Sequence, residues 1–186
     1  MLRVIGGVYK SRRIKEVTSD LTRPTTDRNK EALFNILGQY FDGGKLLDLF
    51  AGSGSIGIEA LSRGFDEADF IEKNTQACNT IEDNLKTLKI TIGVNVFNQD
   101  VFSFLKTTKN TYDMIFADPP YSLNRYEELL DIIASRQLLC IDGIIVFEAD
   151  HNTTLVESNH MIIKFREKII GNTKFGFYKM EESEWK

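Results

Sequence analysis

Between residues 45 and 148, short apolar runs alternate with stretches whose apolar positions recur every three or four residues, and no other feature restricts the fold so tightly. The runs at 46–50, 68–72, 94–98, 112–117 and 143–148 have the length of strands, and the segments at 56–62, 76–88, 101–105 and 126–138 carry helical spacing. Strand–helix–strand units join in parallel through right-handed crossovers, so the alternation predicts an α/β domain with a mostly parallel sheet and helices on both faces. The tail departs from this pattern. Two adjacent strand-like runs, 161–170 and 173–180, meet at Gly171-Asn172 and predict a C-terminal antiparallel hairpin.

Ahead of the alternating region, the chain reads as a small β-hairpin over 2–8 and 13–17 and then a helix. Ala32, Leu33, Ile36, Leu37 and Tyr40 set the helical spacing, Asp27 stands where an N-cap belongs, and Gly43-Gly44 ends the segment. This divides the chain into an extension, 1–44, and a larger domain, 45–186. The 186 residues are 42% hydrophobic, enough for one sizeable core. Charge is unevenly placed: of a net −4, residues 1–30 hold eight basic and three acidic side chains, leaving the rest acidic. A basic extension on an acidic body suits contact with phosphates, against the alternative of a solvated hairpin. Lys164, Arg166 and Lys168 alternate along a strand and would share a face near Lys174 and Lys179, a second such surface or simply a solvated edge.

Other function classes are disfavoured. Cys78 and Cys140 lack C-x-x-C spacing and read as buried free thiols, and His151 and His160 stand alone, so no metal site is expected. No apolar run reaches membrane-spanning length and no signal peptide opens the chain, which points to the cytoplasm. Phe97, Phe102, Phe104 and Phe116 are expected in the core, and Trp185 lies in an acidic tail.

The first strand of the alternating region runs through Asp48 and Phe50 into Ala51-Gly52-Ser53-Gly54-Ser55-Ile56-Gly57, which opens a helix. Glycines there permit a tight turn and close approach of a ligand to a helix N-terminus. The same spacing fits an NAD site or a purely structural turn. Asp48 shifts the balance, because a carboxylate would repel a pyrophosphate but accept hydrogen bonds from the ammonium of an aminoacyl cofactor such as S-adenosyl-L-methionine. Glu72, ending the next strand, is placed to hold ribose hydroxyls of either cofactor. Asp100 follows the third strand, where it can accept from an adenine amino group beside Val101 or Phe102, or act as a helix N-cap.

The most specific chemistry is Asp118-Pro119-Pro120-Tyr121, at the carboxyl end of the fourth strand, the edge where open α/β sheets bind ligands. Two prolines stiffen the loop and remove two N–H donors. An exocyclic amine on a nucleobase is a poor nucleophile, since its lone pair is delocalised into the ring. Acceptors that hold its N–H groups let the lone pair localise toward a methyl donor. The Asp118 carboxylate and the Pro119 carbonyl are such acceptors, and Tyr121 offers a face for stacking. The loop alone leaves adenine and guanine open.

With these motifs, the chain resembles the RsmD-type bacterial methyltransferases, which modify the N2 amine of a guanine in small-subunit (16S) ribosomal RNA. The resemblance runs through Arg3-Val4-Ile5-Gly6-Gly7, residues 10–14, Arg23-Pro24-Thr25-Thr26-Asp27-Arg28, residues 31–37, 47–54 and 57–64, and Asp118-Pro119-Pro120-Tyr121. It implies a Rossmann-like class I methyltransferase fold with a seven-stranded sheet whose last two strands form the tail hairpin. It also implies S-adenosyl-L-methionine held by Asp48, Phe50, Gly52, Gly54, Glu72, Asp100 and Val101, with Asp118, Pro119 and Tyr121 at the guanine. The implied RNA contacts are Arg3, Lys10, Arg12, Arg13, Arg23, Thr25 and Arg28. The expected partner is 16S rRNA within a small subunit or an assembly intermediate, bound by a monomer. Rival readings are a DNA adenine-N6 methyltransferase, for which no segment remains to form a sizeable target-recognition domain, an NAD-dependent oxidoreductase, and a non-catalytic RNA-binding module on the same fold.

Overall fold

Strands buried on both faces form the centre of the molecule, and their near-continuous apolar runs are what a parallel sheet covered by helices requires. The structure, a computed structural model, describes residues 2–17, 26–120, 123–159 and 161–181. Two-residue strands β1 (Leu2–Arg3) and β2 (Arg13–Ile14) precede α1 (Asp27–Leu37). Then follow β3 (Lys45–Leu49), α2 (Ser55–Ser62), β4 (Glu67–Glu72), α3 (Thr75–Leu88), β5 (Val94–Asn98), α4 (Val101–Thr107), β6 (Tyr112–Ala117) and α5 (Tyr126–Ser135). The chain closes with β7 (Leu139–Asp150), β8 (Ser158–Asn159), β9 (Ile162–Ile170) and β10 (Thr173–Met180).

The main sheet has the order β5-β4-β3-β6-β7-β10-β9-β8. Strands β3 to β7 pair in parallel and β7, β10, β9 and β8 in antiparallel fashion, the latter including the hairpin expected from the tail. The seven strands that the resemblance implied are present, and the two-residue β8 adds an eighth at the edge. Strand order reverses between β3 and β6, which puts a topological switch point at their carboxyl ends. Among the described residues, no helix is long and apolar enough to cross a membrane.

Period-2 alternation sends the sheet's side chains into two cores. Leu47, Leu49, Ile115, Ile145, Phe147 and Tyr178 pack under α4 and α5, while Leu46, Phe70, Met114, Phe116, Val146, Phe175 and Phe177 pack under α1, α2 and α3. Leu2, Val4 and Ile14 join the second core, so the described N-terminal residues share their apolar interior with the sheet. Of the phenylalanines expected inside, Phe102, Phe104 and Phe116 are buried, and half-buried Phe97 packs on Phe104 with ring centroids 5.0 Å apart.

Several local expectations change. The helix N-cap is Thr26, whose hydroxyl accepts from the Asn29 N–H at 3.2 Å; Asp27 lies in the first turn and pairs with Arg3 at 2.8 Å. That helix stops at Leu37, short of Gly43-Gly44, because Gly38 at φ 129° turns its N–H back to the Phe34 carbonyl. The opening hairpin shrinks to two pairs, Leu2 with Ile14 and Arg3 with Arg13, because the intervening chain bonds to α2 instead. A bulge at Phe165 breaks the alternation of β9. Lys164 lies opposite Tyr178 and pairs with Glu157 and Glu167, whereas Arg166 and Lys168 lie opposite Phe177 and Phe175 on the other face, so the three do not share one surface. Cys140 is partly exposed rather than buried, and His151 sits beside Asp150 at the surface. His160 and Trp185 lie outside the described residues.

One buried carboxylate fastens the N-terminal segment to α2. Glu59, fully shielded from solvent, accepts from the Ile5 and Gly6 N–H groups at 2.8 Å each and from Arg63 Nε at 2.7 Å. Lys30, equally buried, lies 4.0 Å from Glu59 and donates to the Arg3 carbonyl at 2.6 Å, and burial lowers its pKa. Gly7, at φ 76°, passes so close to the Ser62 carbonyl that any β-carbon would collide with it. Glu59→Ala leaves two N–H groups without their acceptor and two buried cations without their counter-ion. It is expected to cost about 3–5 kcal/mol in urea unfolding; a loss of under about 1 kcal/mol would show that the clasp is dispensable.

Candidate active site

At the switch point, β3 ends in a turn built from left-handed backbone. Phe50, Gly52 and Gly54 have φ of 59°, 55° and 74°, and Gly54 caps α2. A bulky residue at positive φ is strained by about 1–3 kcal/mol. The Ala51 N–H bonded to the Ile71 carbonyl at 3.1 Å, and the Gly54 N–H to the Ala51 carbonyl at 2.7 Å, hold the turn in place. Open space lies where a β-carbon of Gly52 would sit, so this glycine answers to backbone conformation and leaves room beside the turn. Gly57, in contrast, allows α2 to press on the Phe70 ring.

Asp48 projects from β3 on the α2 side, 2% exposed, and accepts one hydrogen bond, from the Gly57 N–H at 3.0 Å. Burial, opposed by that bond and aided by the charge of Glu72, pushes its pKa up to about 8. A buried carboxyl with so little compensation suits a cationic ligand group. Glu72 ends β4 and accepts from the Gly52 N–H at 3.0 Å and the Asn74 N–H at 2.9 Å, which fixes its carboxylate while leaving lone pairs for hydroxyl donors. Asp100 caps α4 through the Ser103 N–H at 3.0 Å and is exposed, with acceptor capacity to spare. Val101 is buried behind it, and the Arg125 guanidinium covers the Phe102 ring at 3.7 Å. This set of acceptors, with an acid for an ammonium, an acid for a ribose and an acid beside an apolar wall, fits an aminoacyl nucleoside.

Asp118 follows β6 across the switch point. Register aligns Asp48 with Phe116 and Phe116 with Val146, so by period-2 alternation Asp48, Asp118 and Glu148 project from the same sheet face. The Asp118 pKa lies well above the usual carboxylate range, from desolvation first and then from the charges of Glu148 and Asp48. Pro119 is buried and Pro120 exposed, and the Pro120 carbonyl accepts from the Leu123 N–H at 2.7 Å to close the loop. Among the described residues, no group of three or more His, Cys, Asp or Glu side chains is placed to hold a metal.

Away from the switch point, Arg3, Lys10, Arg12, Arg13 and Arg28 are exposed. Lys30, counted with the basic extension by sequence, is buried and belongs to the core. Tyr121, Arg23 and Thr25 lie outside the described residues.

The family model described as "Conserved hypothetical protein 95" matches residues 2–179. The chain belongs to this family. The Bacillus subtilis protein YlbH, named as a candidate rRNA methyltransferase, is 42% identical, with 96% of this chain and 98% of that protein covered. The Ribosomal RNA small subunit methyltransferase D of Haemophilus influenzae is 34% identical over 95% of this chain and 93% of its own length. The solved structure of Escherichia coli yhhF, described as a candidate methyltransferase, superposes with a TM-score of 0.83 at 32% identity, covering 97% and 98% of the two chains. The family match includes the N-terminal segment clasped by Glu59 as well as the sheet. No motif marks Glu148; the only sequence signal is an acidic residue closing an otherwise apolar strand at the ligand edge.

The raised acid at Asp48 makes stability depend on pH. Its folded pKa of about 8 exceeds the value of about 3.9 for an unfolded chain. The associated stability is therefore complete below about pH 4 and is lost as pH rises through about 8. Asp118, raised in the same direction, acts with the same sign. Asp48→Asn is expected to flatten the decline in melting temperature between about pH 4.5 and 8.5 in the absence of ligands; an unchanged slope would contradict the burial of an ionisable Asp48.

Proposed function

We propose that this chain uses S-adenosyl-L-methionine to methylate the exocyclic N2 amine of a guanine in small-subunit (16S) ribosomal RNA. The observation that carries this reading is the placement of Asp118 and Pro119 across the switch point from the buried Asp48, so that an amine-binding loop faces a cation-accepting cofactor edge. Names of relatives such as the H. influenzae enzyme support small-subunit rRNA as the substrate.

When bound, S-adenosyl-L-methionine supplies a methyl group on a sulfonium centre. Asp48 would hold its ammonium, Glu72 its ribose hydroxyls, and Asp100 with Val101 its adenine, beside the turn that Phe50, Gly52 and Gly54 shape. The Asp118 carboxyl group and the Pro119 carbonyl accept hydrogen bonds from the guanine N2 amine, which localises its lone pair for attack. Transfer would form the N–C bond as the methyl–sulfur bond breaks, leaving S-adenosylhomocysteine, and the ionised form of Asp118 would accept the surplus amine proton. Tyr121 stacks on the base. Rate enhancement then comes from orientation and electrostatic placement.

Guanine N2 is covered by pairing and stacking in a duplex, so the target is unpaired or flipped out. Arg3, Lys10, Arg12, Arg13, Arg23, Thr25 and Arg28 form the RNA-facing footprint. Arg3 and Arg13 are direct cross-strand partners, a like-charge pairing that is unfavourable on its own and relieved by phosphate as well as by Asp27. An assembled subunit or assembly intermediate would supply much of the specificity through its shape.

Mass-spectrometric mapping of small-subunit rRNA from cells lacking the protein tests the substrate. One N2-methylguanosine is expected to disappear and to return on addition of the purified protein; N6-methyladenosine in its place would favour an adenine target. Asp118→Ala is expected to lower transfer by about 100-fold or more, the size of loss seen when a preorganised electrostatic partner is removed, with S-adenosylhomocysteine affinity by calorimetry within about threefold of wild type. Loss of cofactor binding would contradict its role at the base. Arg12→Ala with Arg13→Ala is expected to reduce the slope of log affinity against log salt by about 1–2; an unchanged slope would remove these residues from the footprint.

A further inference from the structure

We infer that Glu148 selects guanine over other bases, its carboxylate accepting the ring N1–H while Asp118 and Pro119 hold the exocyclic amine. This rests on the proposed methyl transfer to guanine and adds to it the residue that reads the base. Ala117 and Phe147 are the last pair between β6 and β7, so Asp118 and Glu148 are the residues that follow them, side by side at the sheet's ligand edge. Neighbouring strands lie about 4.8 Å apart, so side chains from these two positions can converge on one base edge. Glu148 is only 7% exposed although it stands at that edge, and its backbone is fixed from both sides, through the Tyr126 hydroxyl bonded to its carbonyl at 3.0 Å and through pairing with Phe175 of β10. Its charge is the first electrostatic cause, after desolvation, of the raised Asp118 pKa, which places the two carboxyl groups within mutual reach.

Guanine presents N1–H and the N2 amine as neighbouring donors. Two carboxyl groups and the Pro119 carbonyl form a matching row of acceptors, and a carboxylate retains sites for this donor alongside its other contacts. Adenine presents an amine beside a ring-nitrogen lone pair, which an ionised Glu148 would repel. Specificity therefore comes from the mismatched partner as much as from the matched one.

The test compares guanine with 2-aminopurine, which keeps the exocyclic amine but carries a lone pair at N1, at the mapped position of ligated small-subunit rRNA. Wild-type protein is expected to prefer guanine in kcat/KM by at least about 10- to 100-fold, the range for a hydrogen bond to a charged group. Glu148→Gln, whose carboxamide can donate to that lone pair, is expected to narrow the preference about tenfold while leaving S-adenosylhomocysteine affinity unchanged; Glu148→Asp is expected to retain the preference for guanine. A Glu148→Gln preference equal to wild type overturns the inference and leaves the reaction standing. Should that variant fail to fold, equal use of the two bases by wild-type protein overturns it. Wild-type protein that leaves guanine unmethylated overturns the proposed reaction and this inference with it.

Discussion

The reversal of strand order between β3 and β6 is the constraint on which the site depends. From β3 the chain builds outward through β4 and β5, then returns to place β6 on the other side of β3. The connections therefore leave in opposite directions, and the carboxyl ends of these two strands remain open between them. Asp48 and Asp118 reach that gap from one sheet face, and β7 adds Glu148 to the same row. A continuous winding in one direction would have covered the gap with a crossover helix.

Placing three carboxyl groups close together in partly desolvated surroundings runs against the stability of the fold. Raised pKa values at Asp48 and Asp118 are the physical expression of that conflict. In the proposed reading each acid meets the charge or donors of a ligand: a cationic aminoacyl group at Asp48, base N–H groups at Asp118 and Glu148. Strain at Phe50, a bulky residue at φ 59°, belongs to the same pattern, since it occurs in the turn that a cofactor would contact. The cores on both faces are large and apolar, and they hold this unfavourable edge in place.

Glu59 ties the basic N-terminal segment to that framework. By bonding two consecutive N–H groups of the segment and two cations of the body, it orders residues whose two-residue strands could not stand alone. The exposed Arg3, Arg12 and Arg13 are thereby carried on a fixed scaffold rather than on a loose arm. Asn84 extends the connection: it bonds both backbone groups of Lys15 and also the Ser53 carbonyl, so one side chain joins the extension to the glycine turn.

The sequence by itself determined the parallel sheet, the tail hairpin, the glycine turn and the proline pair that follows the fourth strand of the alternating region, because each is written in local periodicity or in residues whose backbone preferences act at short range. The positions of Asp48, Glu72 and Asp100 at strand ends were legible for the same reason. What tertiary structure decided are the relationships between distant segments. Lys30 reads as one more surface charge in the basic block, yet packing against Glu59 buries it completely. The bulge at Phe165 turns Lys164 away from Arg166 and Lys168, which no count of alternating residues reveals. Glu148 is an ordinary strand-ending acid until register sets it beside Asp118. Burial and strand register arise from contacts across tens of residues of sequence, so local pattern fixes which elements form while three-dimensional packing fixes which charges meet.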